Sequence, residues 1–485
     1  MSETSDTIKK LLDSKKYDKI VSLTEHLGDS EPDMVLREMR GEALFRLGRR
    51  DEALQCFREC IRSDLSRIDG KRKFLNSARF VTRIMGKKRD ASIAFWQSCI
   101  DPRSEALERA AKAFLKGDHS RALDIFARTV TDIFGEGEIA SNWIQSFEDL
   151  IAIDRDGATF PGSEIPSVRK IFLSGMGWSG SSALRDYFRE FPRVMFKSGE
   201  YQYIEDGISL LDVHDSIDRG DDWKRTFLTF YMGGILGFSR VESYVEYKHV
   251  KAARAFSIDT TKGALELSHA VRRMIRAAAG FFNAENEDRR AELFLDYARD
   301  FVNLISSGAY YQEADCYILD NVIHIRSLDR VGFIDNAYFF PTFRDPRSMH
   351  VSRQVENRTY LKSAEKLVFG LGDRFRMLNG KVKRLREQMA GRDVECTPVQ
   401  FERFVMDEAY REGLARDMGL DPAKQKRHKS FKPWMSARNV YIHETHGDPE
   451  EIRLIEKELP EYCIDLEVYR AEAARLEAIA KSRGE

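Results

Sequence analysis

Apolar positions follow two different periods along this chain. From the N-terminus to about residue 150 they recur every three or four residues, the spacing of amphipathic helices. The stretch Met34 to Ile61 reads MVLREMRGEALFRLGRRDEALQCFRECI, two helical patterns joined at Gly48. Turn formers then break the pattern in IDRDGATFPGSEIPSV, Ile153 to Val168, with Gly157, Pro161, Gly162 and Pro166. Beyond it, short apolar runs of strand length alternate with helical stretches. Val168–Ser174, Val194–Phe196, Tyr317–Leu319 and Ala337–Phe343 read as strands, and their continuous apolar character predicts a mostly parallel sheet covered on both faces. Helical periods return at His269–Phe282, Arg289–Ile305 and from about Ser363 to Met389, the last a charged, solvated face. The expected fold class is α plus α/β, with helical repeats followed by a three-layer α/β domain. Residues 1–150 form the helical domain and 151–167 a linker. Residues 168–485 form the α/β domain, with a helical insertion at about 205–312.

The helical part repeats. Gly48, Ala53 and Phe57 define a Gly-x4-Ala-x3-Phe pattern that recurs as Gly86, Ala91, Phe95 and as Gly117, Ala122, Phe126. The glycine lets the chain turn between antiparallel helices. The alanine allows close approach, and the phenylalanine one turn later fills the groove against the partner. These intervals straddle the ~34 residues of tetratricopeptide repeats, and residues 1–150 resemble a degenerate array of about four such units. The resemblance implies a module that binds a protein or peptide partner on its concave face.

Composition narrows the remaining choices. Lys+Arg number 78 against 79 Asp+Glu, a formal net charge of -1, which argues against a protein built to coat nucleic acid. No apolar run approaches the ~20 residues of a membrane span. The N-terminal MSETSDTIKKLLDSKKYDK lacks the apolar core of a secretory signal. Six cysteines without a CxxC pair give neither a disulfide framework nor a zinc site, and Cys56 and Cys60 read as packing residues in a helix. His443 and His446 lack a third ligand nearby, so no metal is expected. The expectation is a cytoplasmic protein with no membrane span.

Candidate chemistry begins at the first strand. It runs into SGMGWSGSSALRDYF, Ser174 to Phe188, where Gly175, Gly177 and Gly180 permit a compound turn and ALRDYF opens a helix. Strand, glycine-rich loop and helix N-terminus together hold phosphate through backbone N–H groups and the helix dipole. Gly175 and Gly180 have the spacing of G-x-x-x-x-G-K-[ST], but Ser181 stands where the lysine belongs, which argues against ordinary ATP or GTP hydrolysis. A second segment, PTFRDPRSMHVSRQ (Pro341 to Gln354), follows another strand. It carries Arg344 at the strand end and Ser352 eight residues later. An arginine there grips a phosphate through two parallel N–H bonds, unless it pairs with Asp345 or another surface acid.

Together these segments resemble the sulfotransferase family. That family pairs a 5′-phosphosulfate loop, (K/R)-S-G-T-[ST], with an R-D-P-R element whose arginine, and a serine eight residues on, bind a 3′-phosphate. Here the first is Trp178-Ser179-Gly180-Ser181-Ser182 and the second Arg344-Asp345-Pro346-Arg347 with Ser352. VQFERFVMDEAYREGLARDMGL, Val399 to Leu420, is similar to the family's strand with a Tyr/Phe-Glu followed by a helix ending in Gly-Leu. The resemblance spans roughly 168–465, the helical middle apart. It implies 3′-phosphoadenosine 5′-phosphosulfate as co-substrate without a metal. Gly177, Trp178, Ser179, Gly180, Ser181 and Ser182 would hold the 5′ end, and Arg344 and Ser352 the 3′-phosphate.

The family's Lys or Arg at the position of Trp178 stabilises the bridging oxygen as sulfate leaves, and tryptophan cannot. Lys197, Lys248, Lys429 and Lys432 are the substitutes, with Lys197 first because it ends a candidate strand. For the base, Glu200 follows that strand in a setting that loosely matches the heparan-type carbohydrate sulfotransferases, which points to a hydroxyl acceptor on a glycan. His324 is the rival base, or a packed core residue. KQKRHKSFKPW, Lys424 to Trp434, is expected to reach over the donor's 3′-phosphate, to grip an anionic acceptor, or to stay a solvated loop. Ser436 to Leu459 is expected to form a strand and then a helix capped by Asp448 and Pro449. Two other readings stay open: a non-sulfo P-loop kinase, and a nucleotide-binding interaction protein whose repeats bind the partner.

Overall fold

The structure, a computed structural model, describes residues 3–27, 31–65, 77, 80–81, 84, 102–161, 165–175, 179–196, 204–205, 209–235, 261–307, 314–356, 364–390 and 392–484. It comprises two compact units, Met1–Gly162 with Asp206–Arg290, and Ser163–Glu205 with Ala291–Glu485. The helical stretch expected at 205–312 therefore divides. Asp206–Arg290 packs with the first unit, and the chain from Ala291 on with the second.

In the first unit, helices Glu31–Arg46 and Arg50–Leu65 form one hairpin, and Pro102–Leu115 and His119–Phe134 another. Gly48 and Gly117 make the turns at φ +79° and +76°, a left-handed backbone that favours glycine. Asp118 caps the helix that follows the second turn by accepting from the Arg121 amide at 3.3 Å. Ala53, Phe57, Ala122 and Phe126 are all buried. Phe57 lies so close to Gly41 of the partner helix that a Cβ there would meet its ring at 2.6 Å. Phe126 stacks on Phe147 with centroids 4.3 Å apart. The middle pattern, Gly86, Ala91 and Phe95, lies outside the described residues. Cys56 and Cys60 are buried in their helix, as a packing role requires. Helix Glu138–Asp156 packs along Thr261–Phe282, where the Asp149 carboxylate accepts from Arg272 at 3.0 Å and from Arg276 at 2.8 Å.

The second unit is built on a parallel sheet. Strands β1 (Arg169–Gly175), β2 (Val194–Phe196), β3 (Cys316–Asp320), β4 (Ala337–Phe343) and β5 (Val394–Cys396) lie in the order β2-β3-β1-β4-β5, and β6 (Val399–Gln400) also pairs with β4. Every pairing is parallel. Both faces are covered, which is why apolar residues dominate the central strands. Ile171 and Leu173 pack with Leu184 and Phe188 of helix Ser181–Phe188 and with Phe404 and Val405. Phe172, on the opposite face, stacks on Phe339 at 4.8 Å. Lys170 shares that face and is fully buried, donating to Asn303 Oδ1 at 2.6 Å and to Asp335 at 3.1 Å.

Two sequence expectations are corrected. The strand expected to carry Phe401-Glu402 stops after two residues, Val399–Gln400, and Phe401 opens a helix, Phe401–Met406. Phe401, Phe404 and Val405 are buried at helical spacing, a period the local apolar density masks. The strand expected from Ser436 is instead two helices, Pro433–Val440 and Ile442–His446. Pro433 sets the first turn, and Trp434, Ala437 and Val440 form one buried stripe. Helix Pro449–Glu458 is capped by Asp448 as expected. Among the described residues no helix is long and apolar enough to cross a membrane.

Truncating Phe126 removes a stacked core ring, so Phe126→Ala is expected to lower unfolding free energy by about 3–5 kcal/mol. Gly117→Ala, with open space around the site but a left-handed backbone, is expected to cost only about 1–2 kcal/mol. Urea denaturation of both variants checks the ordering.

Candidate functional site

The site is placed by sheet topology. From β1 the chain crosses toward β2 and β3, and from β4 it crosses toward β5, so the order reverses between adjacent β1 and β4. A crevice at such a reversal, beyond the carboxyl ends of the strands, is where open α/β sheets bind ligands. Gly175 is in register with Thr342, two residues before Arg344, so the glycine loop and the arginine turn leave the sheet side by side.

The loop is tightly packed. At Gly175 a Cβ would lie 2.1 Å from Ser179 Oγ, and at Gly180 it would lie 2.2 Å from the Phe401 ring. Gly180 is also left-handed, at φ +89°, and stands at the N-cap of helix Ser181–Phe188. Ser179 is buried, and its Oγ has no hydrogen-bond partner among the described residues; Ser174 Oγ shares that state. Gly177 and Trp178 lie outside the described residues.

The second segment is organised by Asp345, which is fully buried. Its carboxylate accepts from Arg347 Nε at 3.0 Å and Nη2 at 2.6 Å, from the Arg347 amide at 2.8 Å and from the Ile464 amide at 2.8 Å. The pairing of Arg344 with Asp345 that the sequence left open is thus replaced by one between Asp345 and Arg347. Arg344 instead lies over the Phe401 ring, 5.0 Å from its centroid, and donates to the Asn439 carbonyl. Helix Pro346–Glu356 follows, fixed by Ser348 Oγ, which donates to the Val440 carbonyl at 2.7 Å and lies 2.8 Å from His443 Nδ1.

One cavity of about 370 Å³ joins the two segments. Gly180, Ser182, Arg344, Ser352, Phe401 and Lys432 are on its wall. Four of the expected ligand-binding residues therefore meet, while Ser179, packed against Gly175, and Ser181 are not on the wall. Of the four substitute cations, Lys432 reaches the cavity, and Lys429 is exposed elsewhere on the same segment. Lys197 and Lys248 lie outside the described residues, as does Glu200. His324 is not core: it is partly exposed beyond β3, with Nε2 3.7 Å from Oε1 of the buried Glu205.

Sequence reasoning passed over three acids. Asp320 ends β3 beside Leu173 and lies 3.2 Å from Arg185 of the loop helix. An acid closing a buried apolar run was the available signal. Glu190 and Glu402 are buried amid aromatic residues, and neither carries a local signal for its partner.

Glu402 sits beneath the arginine turn and accepts the Asp345 amide at 2.9 Å. Full burial pushes its carboxyl up to about 7, against the pull of that amide. Glu402, beneath the turn, is thus mostly neutral in mildly acidic solution. In the unfolded chain the proton leaves near an ordinary ~4.3, so folding is undisturbed below that value. Stability falls as pH rises toward 7 and levels off above it. Glu402→Gln keeps an acceptor for Asp345 and removes the titration. It is expected to match the parent near pH 4 and to exceed it by roughly 3 kcal/mol at about pH 8, read from denaturation at both values.

No protein-family model matches this chain, no curated protein matches its sequence, and no solved structure matches its fold.

Proposed function

We propose that the second unit binds 3′-phosphoadenosine 5′-phosphosulfate and transfers its sulfuryl group to a hydroxyl acceptor, with a carbohydrate as the expected acceptor class. The observation that carries this reading is the shared cavity, lined by Gly180 of the glycine turn and by Arg344 and Ser352. Its volume suits a nucleotide-sized ligand.

The residues fit such a donor. Gly175 packs against Ser179 and Gly180 against the Phe401 ring, and Gly180 opens the loop helix on the cavity wall, where backbone N–H groups and the helix dipole favour an anion. Ser179 Oγ is a buried polar atom with a hydroxyl to offer there. Beside Arg344, Asp345 is neutralised by Arg347, and Glu402 is held toward its neutral form, so neither acid opposes a phosphate. In this reading Ser182 and the first turn of the loop helix hold the 5′ end, and Arg344 and Ser352 hold the 3′-phosphate. Lys432 supplies the cation that the loop lacks. The bound donor supplies an activated sulfur. Attack by the acceptor oxygen forms one S–O bond, breaks the bond to the bridging oxygen, and passes the hydroxyl proton to a base. Glu200 and His324 remain the two candidates for that base, and Glu205 is placed to hold a protonated His324. The helical hairpins of the first unit support a tetratricopeptide-like module for a protein or peptide partner.

A second reading, phosphoryl transfer from a magnesium nucleotide, is favoured by Asp320 alone. An acid beside the loop strand is where such enzymes hold the metal. Its contact with Arg185 and the serine at position 181 weigh against it.

Calorimetric titration with adenosine 3′,5′-bisphosphate and with ATP–Mg²⁺ separates the two readings. The bisphosphate is expected to bind more tightly, and preference for ATP–Mg²⁺ would overturn the sulfotransferase reading. Arg344→Ala is expected to weaken bisphosphate binding by about 1.5–3 kcal/mol, the value of a charge-assisted contact, while the ATP control changes little.

A further inference from the structure

Part of the cavity wall is an irregular segment, and irregular segments hold their shape only where something fastens them. Ser430, Phe431 and Lys432 form this part of the wall. They lie between a 3-10 turn at Pro422–Lys424 and the helix that begins at Pro433.

Glu190 does the fastening. It follows the loop helix Ser181–Phe188 and is buried, 1% exposed. Oε1 accepts two consecutive backbone amides, Ser430 at 2.7 Å and Phe431 at 2.8 Å. Oε2 accepts from Gln425 Nε2 at 2.8 Å, and the Glu190 carbonyl accepts the Lys426 amide at 2.8 Å. Four bonds from one residue thus span the segment. On its outer side Arg427 pairs with Glu408 and Glu412, exposed contacts that contribute little. A buried carboxylate that accepts several N–H donors is short-ranged, charge-assisted and strongly directional. The same helix therefore presents Gly180 and Ser182 at its start and anchors another part of the cavity wall just past its end.

We infer that Glu190 is the positioning residue of the donor site. It fixes Ser430–Lys432 against the cavity before ligand arrives, and so sets the affinity for a ligand with two phosphate groups through Lys432. The inference rests on the donor reading above and extends it to a residue that does not itself line the cavity.

Glu190→Gln preserves volume but cannot accept from all three donors as a carboxylate does. Binding is read by calorimetry with adenosine 3′,5′-bisphosphate for the parent, Glu190→Gln, Lys432→Ala and the double variant. A parent that does not bind overturns the donor reading, and the inference with it. With the parent binding, Glu190→Gln is expected to weaken affinity about tenfold, or ~1.4 kcal/mol. The loss should shrink in the Lys432→Ala background, because the two residues act through one contact. An unchanged affinity, or a loss of full size in both backgrounds, overturns the positioning role alone. Hydrogen exchange on the unliganded parent gives a second test that needs no variant. Slow exchange at the Ser430 and Phe431 amides is expected, and exchange at the rate of an open loop without ligand overturns a preformed wall.

Discussion

A buried carboxylate is costly unless its oxygens are filled, and Asp345 is the one on which the sheet edge depends. Arg347 approaches it with two guanidinium nitrogens and its own amide, and Ile464 supplies a further amide. That arrangement dictates the rest of the turn. With Asp345 committed to Arg347, the neighbouring Arg344 goes the other way, across the Phe401 ring to the Asn439 carbonyl. Phe401 in turn fills the space a side chain at Gly180 would need. One ion pair thus propagates into the direction of an arginine, the seat of an aromatic ring and the need for a glycine.

Much of this layout is legible in the chain itself. β2 and β4 coincide with apolar runs that turn formers bound, and β1 and β3 depart from theirs only at the ends. Strands buried on both faces announce themselves because no polar alternation interrupts them. The glycine turn and the Arg-Asp-Pro-Arg segment stand out for the same reason, being polar interruptions directly after such runs. Legibility fails where a short apolar cluster serves either period. Phe401-Glu402 and the stretch from Ser436 read as strand, and both are helical, with buried stripes that appear only at a spacing of three or four. β5, which follows a charged helix and is only three residues long, carries too little signal to register.

Partners across the fold are a different matter. Glu190 looks like one polar residue in an aromatic stretch, and the amide of Phe431 that it receives is 241 residues away. The Asp149 carboxylate in the first unit likewise meets Arg272 and Arg276 of a helix far along the chain. Helical period reveals each element, and nothing in either element names the other. Buried acids of this kind become visible only when the chain has folded around them.

That separation bears on how the protein reaches its final form. Lys170 in the first strand of the sheet closes onto Asp335, 165 residues later, and the parallel neighbours of β1 are comparably remote. Entropy must be surrendered over long loops before such contacts return any stabilisation, which makes sheets of this topology slow to assemble. The glycine turn is synthesised well before the arginine it faces. An emerging chain therefore spends an interval with its central strand uncovered, and the crevice can exist only after the last half of the second unit has left the ribosome.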